Sequence, residues 1–341
     1  MLQDYKGIVS ATNLPTNTNV VKFSKGDVLL SNIRPYLKKV WYADRNGGCS
    51  ADVFVFKALP ICNSNFLHHV IANDRFIKFV MGGAKGVKMP RGDKEQMITY
   101  KVGLPCIEEQ KKIANLLSLL DERISTQNKI IEELKQLKNG ISLNLFTNRI
   151  IFDKQITLSK CGTLRNGYAF KSSTYNLKGK YSIITIANVT GSRFIESVDC
   201  NKVTQIPEDI QSHQILSNGD ILISLTGNVG RVSLCTDGHF LLNQRVGLFE
   251  LSDSIDKEFI YQVLSSKHFE NEMIAKGQGA AQMNINKNDV ESYVIPYSTN
   301  LQNIRIVSSL LKSLDEKILT MEHLLLSYNK QKTYLLRQMF I

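Results

Sequence analysis

The hexapeptide Gly26-Asp27-Val28-Leu29-Leu30-Ser31 occurs again, in nearly the same form, as Gly219-Asp220-Ile221-Leu222-Ile223-Ser224. The two stretches are 193 residues apart. Further identities keep this offset or one residue more: Phe66 with Phe259, Val70 with Val263, Leu120-Asp121-Glu122 with Leu314-Asp315-Glu316, Ile124 with Ile318 and Phe146 with Phe340. Because the offset shifts by only one residue over more than a hundred, the pattern indicates a duplicated domain.

The two copies differ at their beginnings. Copy 2 starts near Ile151, whereas Met1 of copy 1 aligns with about Phe194, so copy 1 has no counterpart of residues 151–193. We therefore expect a shortened first domain, in the form of a truncated or silent cassette or of a misassigned start. An in-frame coding stretch upstream of Met1 that resembled residues 151–193 would indicate the misassigned start.

Each copy ends in a long helical pattern. Positions that are mostly apolar recur in steps of four and three, which is a heptad seam, at Leu120, Ile124, Gln127, Ile131, Leu134, Lys138, Ile141 and Leu145. The second seam lies 194 residues later, at Leu314, Ile318, Met321, Leu325, Tyr328, Lys332, Leu335 and Met339. A helix over 108–146 would be roughly 58 Å long and needs a partner for its stripe. The sustained register favours packing of one helix on the other over packing on its own domain.

Short apolar runs separated by turns fill the rest of the chain. Strands are predicted at 28–31, 52–56, 181–186, 221–224 and 246–251, and helices at 66–79 and 257–274. The predicted fold class is α+β, a mixed α/β arrangement of two tandem domains, each with a twisted sheet and small helices, separated by two long helices that pack on each other. The predicted boundaries are 1–106 for domain 1, 107–149 for the central helix, 150–300 for domain 2 and 301–341 for the C-terminal helix.

The charge balance points to a polyanionic partner. The chain has 341 residues and a formal net charge of +11, and such an excess attracts nucleic acid or an anionic membrane. No run approaches the roughly 20 apolar residues of a membrane span, and the start MLQDYKGIVS has no signal-peptide core. A soluble, cytoplasmic protein is expected. The six cysteines are scattered without a CxxC pair, which favours reduced thiols over zinc ligands or disulfides.

No catalytic set stands out in the sequence. The run Gly82-Gly83-Ala84-Lys85-Gly86 lacks the spacing of a phosphate-binding loop, and the six histidines show no metal-binding pattern. Glu133-Leu134-Lys135 has the form of a nuclease motif but lies on the heptad helix, where outward Glu and Lys are expected. The chain is therefore predicted to be non-catalytic, with no metal site.

Polar, basic loops remain as the candidate functional sites. After the shared strand the copies diverge in sequence, which is typical of two binding sites with different specificities on one structural framework. Amide and cationic side chains suit base edges and phosphates, although each loop alone could equally be a solvated turn. The predicted DNA-binding residues are Arg34, Tyr36, Lys38, Lys39, Lys85, Lys88, Arg91, Arg165, Lys171, Thr226, Asn228, Arg231, Gln278, Gln282, Asn284 and Lys287.

These segments resemble the specificity (S) subunits of type I restriction-modification systems. The resemblance lies in 26–39 and 219–230, and in the domain-to-helix junction Leu104-Pro105-Cys106-Ile107-Glu108-Glu109-Gln110-Lys111-Lys112-Ile113. The copy 2 junction, at 295–304, departs from that pattern. The similarity extends over nearly the whole chain.

The resemblance implies two target-recognition domains that read the halves of a bipartite double-stranded DNA site. It also implies that the two long helices form an antiparallel coiled coil, which separates the domains and sets the gap. It implies methyltransferase (modification) subunits beside the helices and a restriction subunit on that assembly. S-adenosylmethionine, ATP and Mg²⁺ would serve those partners, and no cofactor is expected in this chain. Self-association through the long helices is a further possibility. The alternatives are a silent specificity cassette and a coiled-coil interaction protein without DNA recognition.

Overall fold

The computed structural model describes Ile8 and residues 20–148, 150–277 and 283–340. The chain forms two compact units, and each long helix contributes one half to each of them. Unit 1 comprises residues 1–129 and 322–341, and unit 2 comprises residues 130–321.

In the described part of unit 1, five short strands and three short α-helices precede the first long helix. The strands are β1 (Val21–Phe23), β2 (Val28–Ser31), β3 (Val40–Tyr42), β4 (Gly47–Cys49) and β5 (Val53–Phe56), and the helices are α1 (Ser64–Ile71), α2 (Asp74–Gly82), α3 (Lys94–Met97) and α4 (Ile107–Thr147). One sheet has the order β3-β2-β5, and β1 pairs with β4. All these pairings are antiparallel.

The β2 strand is the centre of unit 1 because apolar side chains cover both of its faces. Val28 and Leu30 pack in one cluster with Phe76 and Val80 of α2. Leu29 points the other way, as alternation along a strand requires, and packs in a second cluster with Trp41. A strand buried on both sides produces the continuous apolar run of the repeated hexapeptide.

Unit 2 repeats this arrangement with additional strands. Its strands are β6 (Lys154–Thr157), β7 (Gly162–Asn166), β8 (Tyr181–Ile184), β9 (Asn201–Val203), β10 (Ile215–Leu216), β11 (Ile221–Ser224), β12 (Val232–Leu234), β13 (Phe240–Leu242), β14 (Val246–Leu251) and β15 (Val294–Tyr297). Its helices are α5 (Lys257–Leu264), α6 (Lys267–Gly277), α7 (Lys287–Glu291) and α8 (Leu301–Met339). Two four-stranded sheets have the orders β12-β11-β14-β7 and β10-β13-β8-β9, and β15 pairs with β6.

The duplication holds at the level of strand register and helix caps. Phe23 lies opposite Gly47 in unit 1, and Leu216 lies opposite Phe240 in unit 2, so both partners shift by 193 residues. The helices α1 and α5 begin 193 residues apart, and so do α2 and α6. The two units therefore use one framework.

The units differ at the outer edge of the central sheet. In unit 2, β7 continues the sheet beyond β14. In the described part of unit 1, β5 is the last strand, and its residues are half-buried where those of β14 are mostly buried. The predicted deficit in copy 1 is the missing counterpart of residues 151–193, which would precede Met1. Residues 1–7 and 9–19, the start of copy 1, lie outside the described residues, and the deficit stays a prediction.

Three of the predicted elements require correction. The helices predicted at 66–79 and 257–274 are each divided in two, because Asn73 ends one helix and caps the next by accepting a hydrogen bond from Arg75 N, and α5 likewise ends at Leu264. The strand predicted to reach Ile186 ends at Ile184, since the Asn188 side chain accepts a hydrogen bond from Thr185 N at 2.8 Å and forms a turn.

The long helices pack on each other, as the seams predict, and they run antiparallel, as the resemblance implies. In unit 1, Ala114 and Leu117 near the start of α4 share a cluster with Leu335 and Leu336 near the end of α8. The two seam lysines are reciprocal: Lys138 of α4 donates to Asp315 of α8 at 2.6 Å in unit 2, and Lys332 of α8 donates to Asp121 of α4 in unit 1. No described helix is long and apolar enough to cross a bilayer.

Candidate nucleic-acid interface

Two loops of unit 2 are joined by their main chains. The hairpin 225–231 connects β11 to β12, and the segment 283–286 leads into α7. Thr226 forms a β-bridge with Asn284. Gly227 N donates to Met283 O at 2.9 Å, and Ile285 N donates to Leu225 O at 2.9 Å. We call these two segments the paired loops of unit 2.

Unit 1 contains the same arrangement in the loops 32–39 and 84–92, its paired loops. Ile33 forms a β-bridge with Arg91. Arg34 N donates to Pro90 O at 2.8 Å, and Gly92 N donates to Asn32 O at 3.4 Å. Every one of these atoms has its counterpart 193 residues later, although the side chains at most of these positions differ. The paired loops are thus a duplicated structural feature with diverged surface chemistry.

The first loops of the two units differ in length by one residue. Both hairpins close with a hydrogen bond from the serine that ends the central strand: Ser31 N donates to Lys39 O at 3.0 Å, and Ser224 N donates to Arg231 O at 2.9 Å. Lys39 and Arg231 are 192 residues apart, so unit 1 has one extra residue in the turn. That turn is a short 3-10 helix, Pro35–Leu37, in which Tyr36 is exposed.

Two basic residues of unit 1 adopt a backbone conformation that favours glycine. Arg34 has φ 53° and Lys38 has φ 51°, and among the described residues they are the non-glycine residues with positive φ. Their counterparts in the hairpin of unit 2 are Gly227 at φ 70° and Gly230 at φ 77°. A side chain in this conformation costs about 1–2 kcal/mol. Unit 1 therefore keeps two cations at positions where the framework accommodates glycine.

The paired loops also hold polar atoms that lack partners. Among the described residues, Asn32 Oδ1, Arg34 Nε and Thr226 Oγ1 are buried atoms without a hydrogen bond. Buried polar groups are nearly always hydrogen-bonded, and leaving one unpaired costs about 1–3 kcal/mol. Three such atoms in the two sets of paired loops indicate a surface suited to an external hydrogen-bonding partner.

Most loop cations have carboxylate neighbours. Lys85 pairs with Asp93 at 2.8 Å, and this hydrogen bond lowers the pKa of the Asp93 carboxyl. The other ion pairs are Arg91–Asp52 at 3.1 Å, Lys38–Asp74, Arg231–Glu270 at 3.7 Å and Lys287–Glu291 at 3.5 Å. Exposed pairs of this kind are worth about 0–1 kcal/mol, so a phosphate could replace the carboxylate at small cost.

The structure brings together eleven of the predicted DNA-binding residues in the paired loops. These are Arg34, Tyr36, Lys38, Lys39, Lys85, Lys88 and Arg91 in unit 1, and Thr226, Asn228, Arg231 and Asn284 in unit 2. Lys287 is the first residue of α7, next to the second loop. Arg165 lies on β7 and pairs with Glu250 at 2.7 Å, and Lys171 is exposed beyond β7, so neither belongs to the paired loops. Gln278 and Gln282 lie outside the described residues.

Asn32 was missed among the candidate residues. Its main-chain oxygen accepts one of the hydrogen bonds between the paired loops, from Gly92 N, and its side-chain oxygen is one of the unpaired buried atoms. The available signal was its position directly after the repeated hexapeptide, where Leu225 stands in copy 2.

Solved structures of type I restriction-modification proteins share this fold. The chain superposes on the S subunit from M. genitalium with a TM-score of 0.64, 17% identity, and coverage of 95% of this chain and 84% of that one. A second match, at TM-score 0.59 and 17% identity, covers 99% of this chain and 89% of a chain from a study of the complex assembly and conformational transition of a type I system. The predicted α+β architecture with antiparallel long helices is confirmed.

The chain belongs to the type I restriction modification DNA specificity domain family, whose model matches residues 5–136 and 154–326. It is 30% identical over 266 residues to the type I restriction enzyme MjaVIII specificity subunit of Methanocaldococcus jannaschii, and 28% identical over 240 residues to the putative MjaX specificity subunit of the same organism. These alignments cover 70% and 65% of this chain but only 61% and 54% of the relatives.

Membership in this family confirms the predicted resemblance, because the chain contains the type I restriction-modification DNA specificity domain. The described residues contain no cluster of three or more histidine, cysteine or acidic side chains that could hold a metal ion. The paired loops offer hydrogen-bond donors, acceptors and cations, which is the chemistry of binding rather than of bond cleavage.

Proposed function

We propose that the paired loops of each unit contact one half of a bipartite double-stranded DNA site, and that the chain thereby directs partner subunits to that site. The observation that carries this proposal is the duplicated loop pairing, in which identical main-chain hydrogen bonds hold different side chains. The loops of unit 1 are basic, and those of unit 2 are richer in uncharged polar groups, so the two halves of the site would differ in sequence.

Adenine methylation would be performed by modification subunits that use S-adenosylmethionine, and cleavage by a restriction subunit that uses ATP and Mg²⁺. Sequencing of the host methylome with and without this gene, in the presence of the modification subunits, tests the proposal. The expected result is one bipartite adenine-methylated motif that depends on the gene. If no motif changes, the silent-cassette or interaction-protein alternative is favoured.

The long helices offer matched apolar positions for two modification subunits. Leu116 of α4 and Leu310 of α8 are counterparts at an offset of 194, and each is 45% exposed. Ile130 and Leu324 are also counterparts, at 37% and 36% exposed. Within each helix the two positions are fourteen residues apart, which is two heptads and therefore one face. Each helix thus presents an equivalent apolar stripe beside its seam.

The double variant Leu116→Glu, Leu310→Glu tests this surface. We expect it to lose both modification subunits in light scattering after gel filtration, with the melting temperature of the isolated chain little changed. Leu326→Glu is the matched control, because Leu326 is 52% exposed and its counterpart in copy 1 is Glu132. Equal loss of modification subunits in the control would contradict the assignment. A wild-type chain that dimerises alone through these leucines would instead support self-association.

A further inference from the structure

Arg34 stands where the duplicated framework otherwise has glycine. Its backbone φ of 53° matches the φ of 70° at Gly227, and both residues donate the same main-chain hydrogen bond to the second loop. A Cβ placed on Gly227 would approach only the Ile186 side chain, at 3.5 Å, so the site tolerates a side chain but strains its backbone. Unit 1 carries an arginine despite this strain, which indicates that the side chain is used.

The guanidinium of Arg34 is not committed to another group of the described chain. Its Nε is buried and has no hydrogen-bond partner, and none of the described carboxylates lies within ion-pair distance of it. The neighbouring cations differ in this respect, because Lys38, Lys85 and Arg91 each have an acidic partner. Arg34 is therefore a fixed cation that has no carboxylate partner among the described residues.

The base of this side chain is firmly held. Arg34 N is bonded to Pro90 O, and Arg34 O accepts a hydrogen bond from Leu37 N at 2.9 Å. The next residue, Pro35, is buried. A guanidinium on a fixed backbone can present its planar fork of donors in one orientation, as recognition of the O6 and N7 acceptors of guanine in the major groove requires.

We propose that Arg34 is a specificity-determining residue of unit 1 and that it reads a guanine in the half-site of that unit. This inference rests on the proposed DNA-recognition function. Lys38, which shares the strained backbone but pairs with Asp74, serves to hold the loop and contributes positive charge.

Selection from a random-sequence duplex library tests the assignment. The full chain, assembled with its modification subunits, is compared with three variants: Arg34→Gly, Arg34→Lys and Lys101→Ala. Arg34→Gly installs the residue of the other copy, so it should fold and melt about 2–4 °C higher. Arg34→Lys keeps the positive charge but lacks the planar pair of guanidinium donors. Lys101 is exposed and outside the paired loops, so its variant controls for the loss of one charge.

We expect the wild type to enrich a bipartite motif with an invariant G·C pair in one half. Arg34→Gly and Arg34→Lys should lose the preference at that pair, with cognate affinity about 10- to 100-fold weaker, while the other half of the motif stays unchanged. Lys101→Ala should enrich the wild-type motif.

Two failures can be told apart in this experiment. If the wild type enriches no motif, both the proposed function and the role of Arg34 are overturned. If the wild type enriches a motif and Arg34→Gly enriches the same one, recognition by the chain stands and the assignment of Arg34 is wrong. The higher melting temperature of Arg34→Gly separates loss of recognition from loss of folding.

Discussion

Replacing one aspartate in each copy should reveal how differently the two units use the same helix position. Asp315 and its counterpart Asp121 are each paired with the seam lysine of the opposite helix. Asp315 also accepts hydrogen bonds from Arg193 Nη1 at 3.0 Å and from Gln262 Nε2 at 2.7 Å. We expect Asp315→Ala to be far more destabilising than Asp121→Ala.

The magnitude follows from burial. The side chains of Asp315, Arg193 and Lys138 are 9%, 10% and 15% exposed, so Asp315→Ala takes the carboxylate partner from a largely buried Lys138 and leaves Arg193 with Glu258. Removal of one partner from a buried ion pair costs about 3–5 kcal/mol. The side chain of Asp121 is 33% exposed and that of Lys332 is 19% exposed, so we expect about 1 kcal/mol for Asp121→Ala after solvent screening.

Urea unfolding of the full chain, followed by circular dichroism, measures both changes. Two local probes, one on the helix seam and one in unit 2, should show that Asp315→Ala unfolds in unit 2 at the lowest urea concentration. The double variant Lys138→Met, Asp315→Leu controls for charge burial and should recover much of the stability, since it removes the Lys138 charge together with that of Asp315 and leaves Arg193 paired with Glu258. Equal destabilisation by the two alanine variants would refute the reasoning.

Three further predictions concern individual residues. His69 is buried, and burial lowers its pKa to about 4. Because the pKa in the folded state lies below the usual value, the neutral imidazole contributes to the free energy of unfolding above pH 6.5. This contribution is lost as the pH falls, and the loss is about 2 kcal/mol at pH 5. His69→Gln installs the residue of copy 2 and should therefore reduce the change in melting temperature between pH 7.5 and pH 5. A melting temperature that falls as steeply with pH as in the wild type would count against this. Gly227→Arg should cost about 1–2 kcal/mol in thermal unfolding, whereas Gly230→Lys should cost more, because its Cβ would lie 2.7 Å from Met273 Cβ; the reverse order would contradict the local geometry. Lys88→Ala should reduce the slope of log affinity against log salt by about 0.9 without altering the preferred DNA sequence, and a changed motif would show that Lys88 reads bases.

The framework could be predicted from the sequence because its signals repeat. The strand Val28–Ser31 and its counterpart Ile221–Ser224 are apolar runs at a fixed offset, and the heptad steps predict both long helices. The reciprocal partners of Lys138 and Lys332 were not predictable, because a seam lysine does not specify which acid of the antiparallel helix it will meet. The break at Asn73 was hidden, since the apolar period of α1 continues into α2.

The site was only partly predictable. Basic and amide residues after the repeated strand drew attention to the correct loops, but the pairing of those loops uses main-chain atoms and leaves no pattern in the side chains. The strained backbone at Arg34 was not predictable from its residue type. Alignment of Arg34 with Gly227 at the offset of 193 was the available clue.

The main-chain bonds between the paired loops also bear on how such a protein can change over evolutionary time. Because the bridges at Ile33–Arg91 and Thr226–Asn284 do not depend on side-chain identity, mutations at the loop surface can alter the DNA sequence preferred by one unit without a new folding problem. The one-residue difference between the hairpins shows that even loop length can drift within this frame. If the proposed function holds, a lineage could thus acquire a new target in one half of its site while the other half and the helix seam stay as they were.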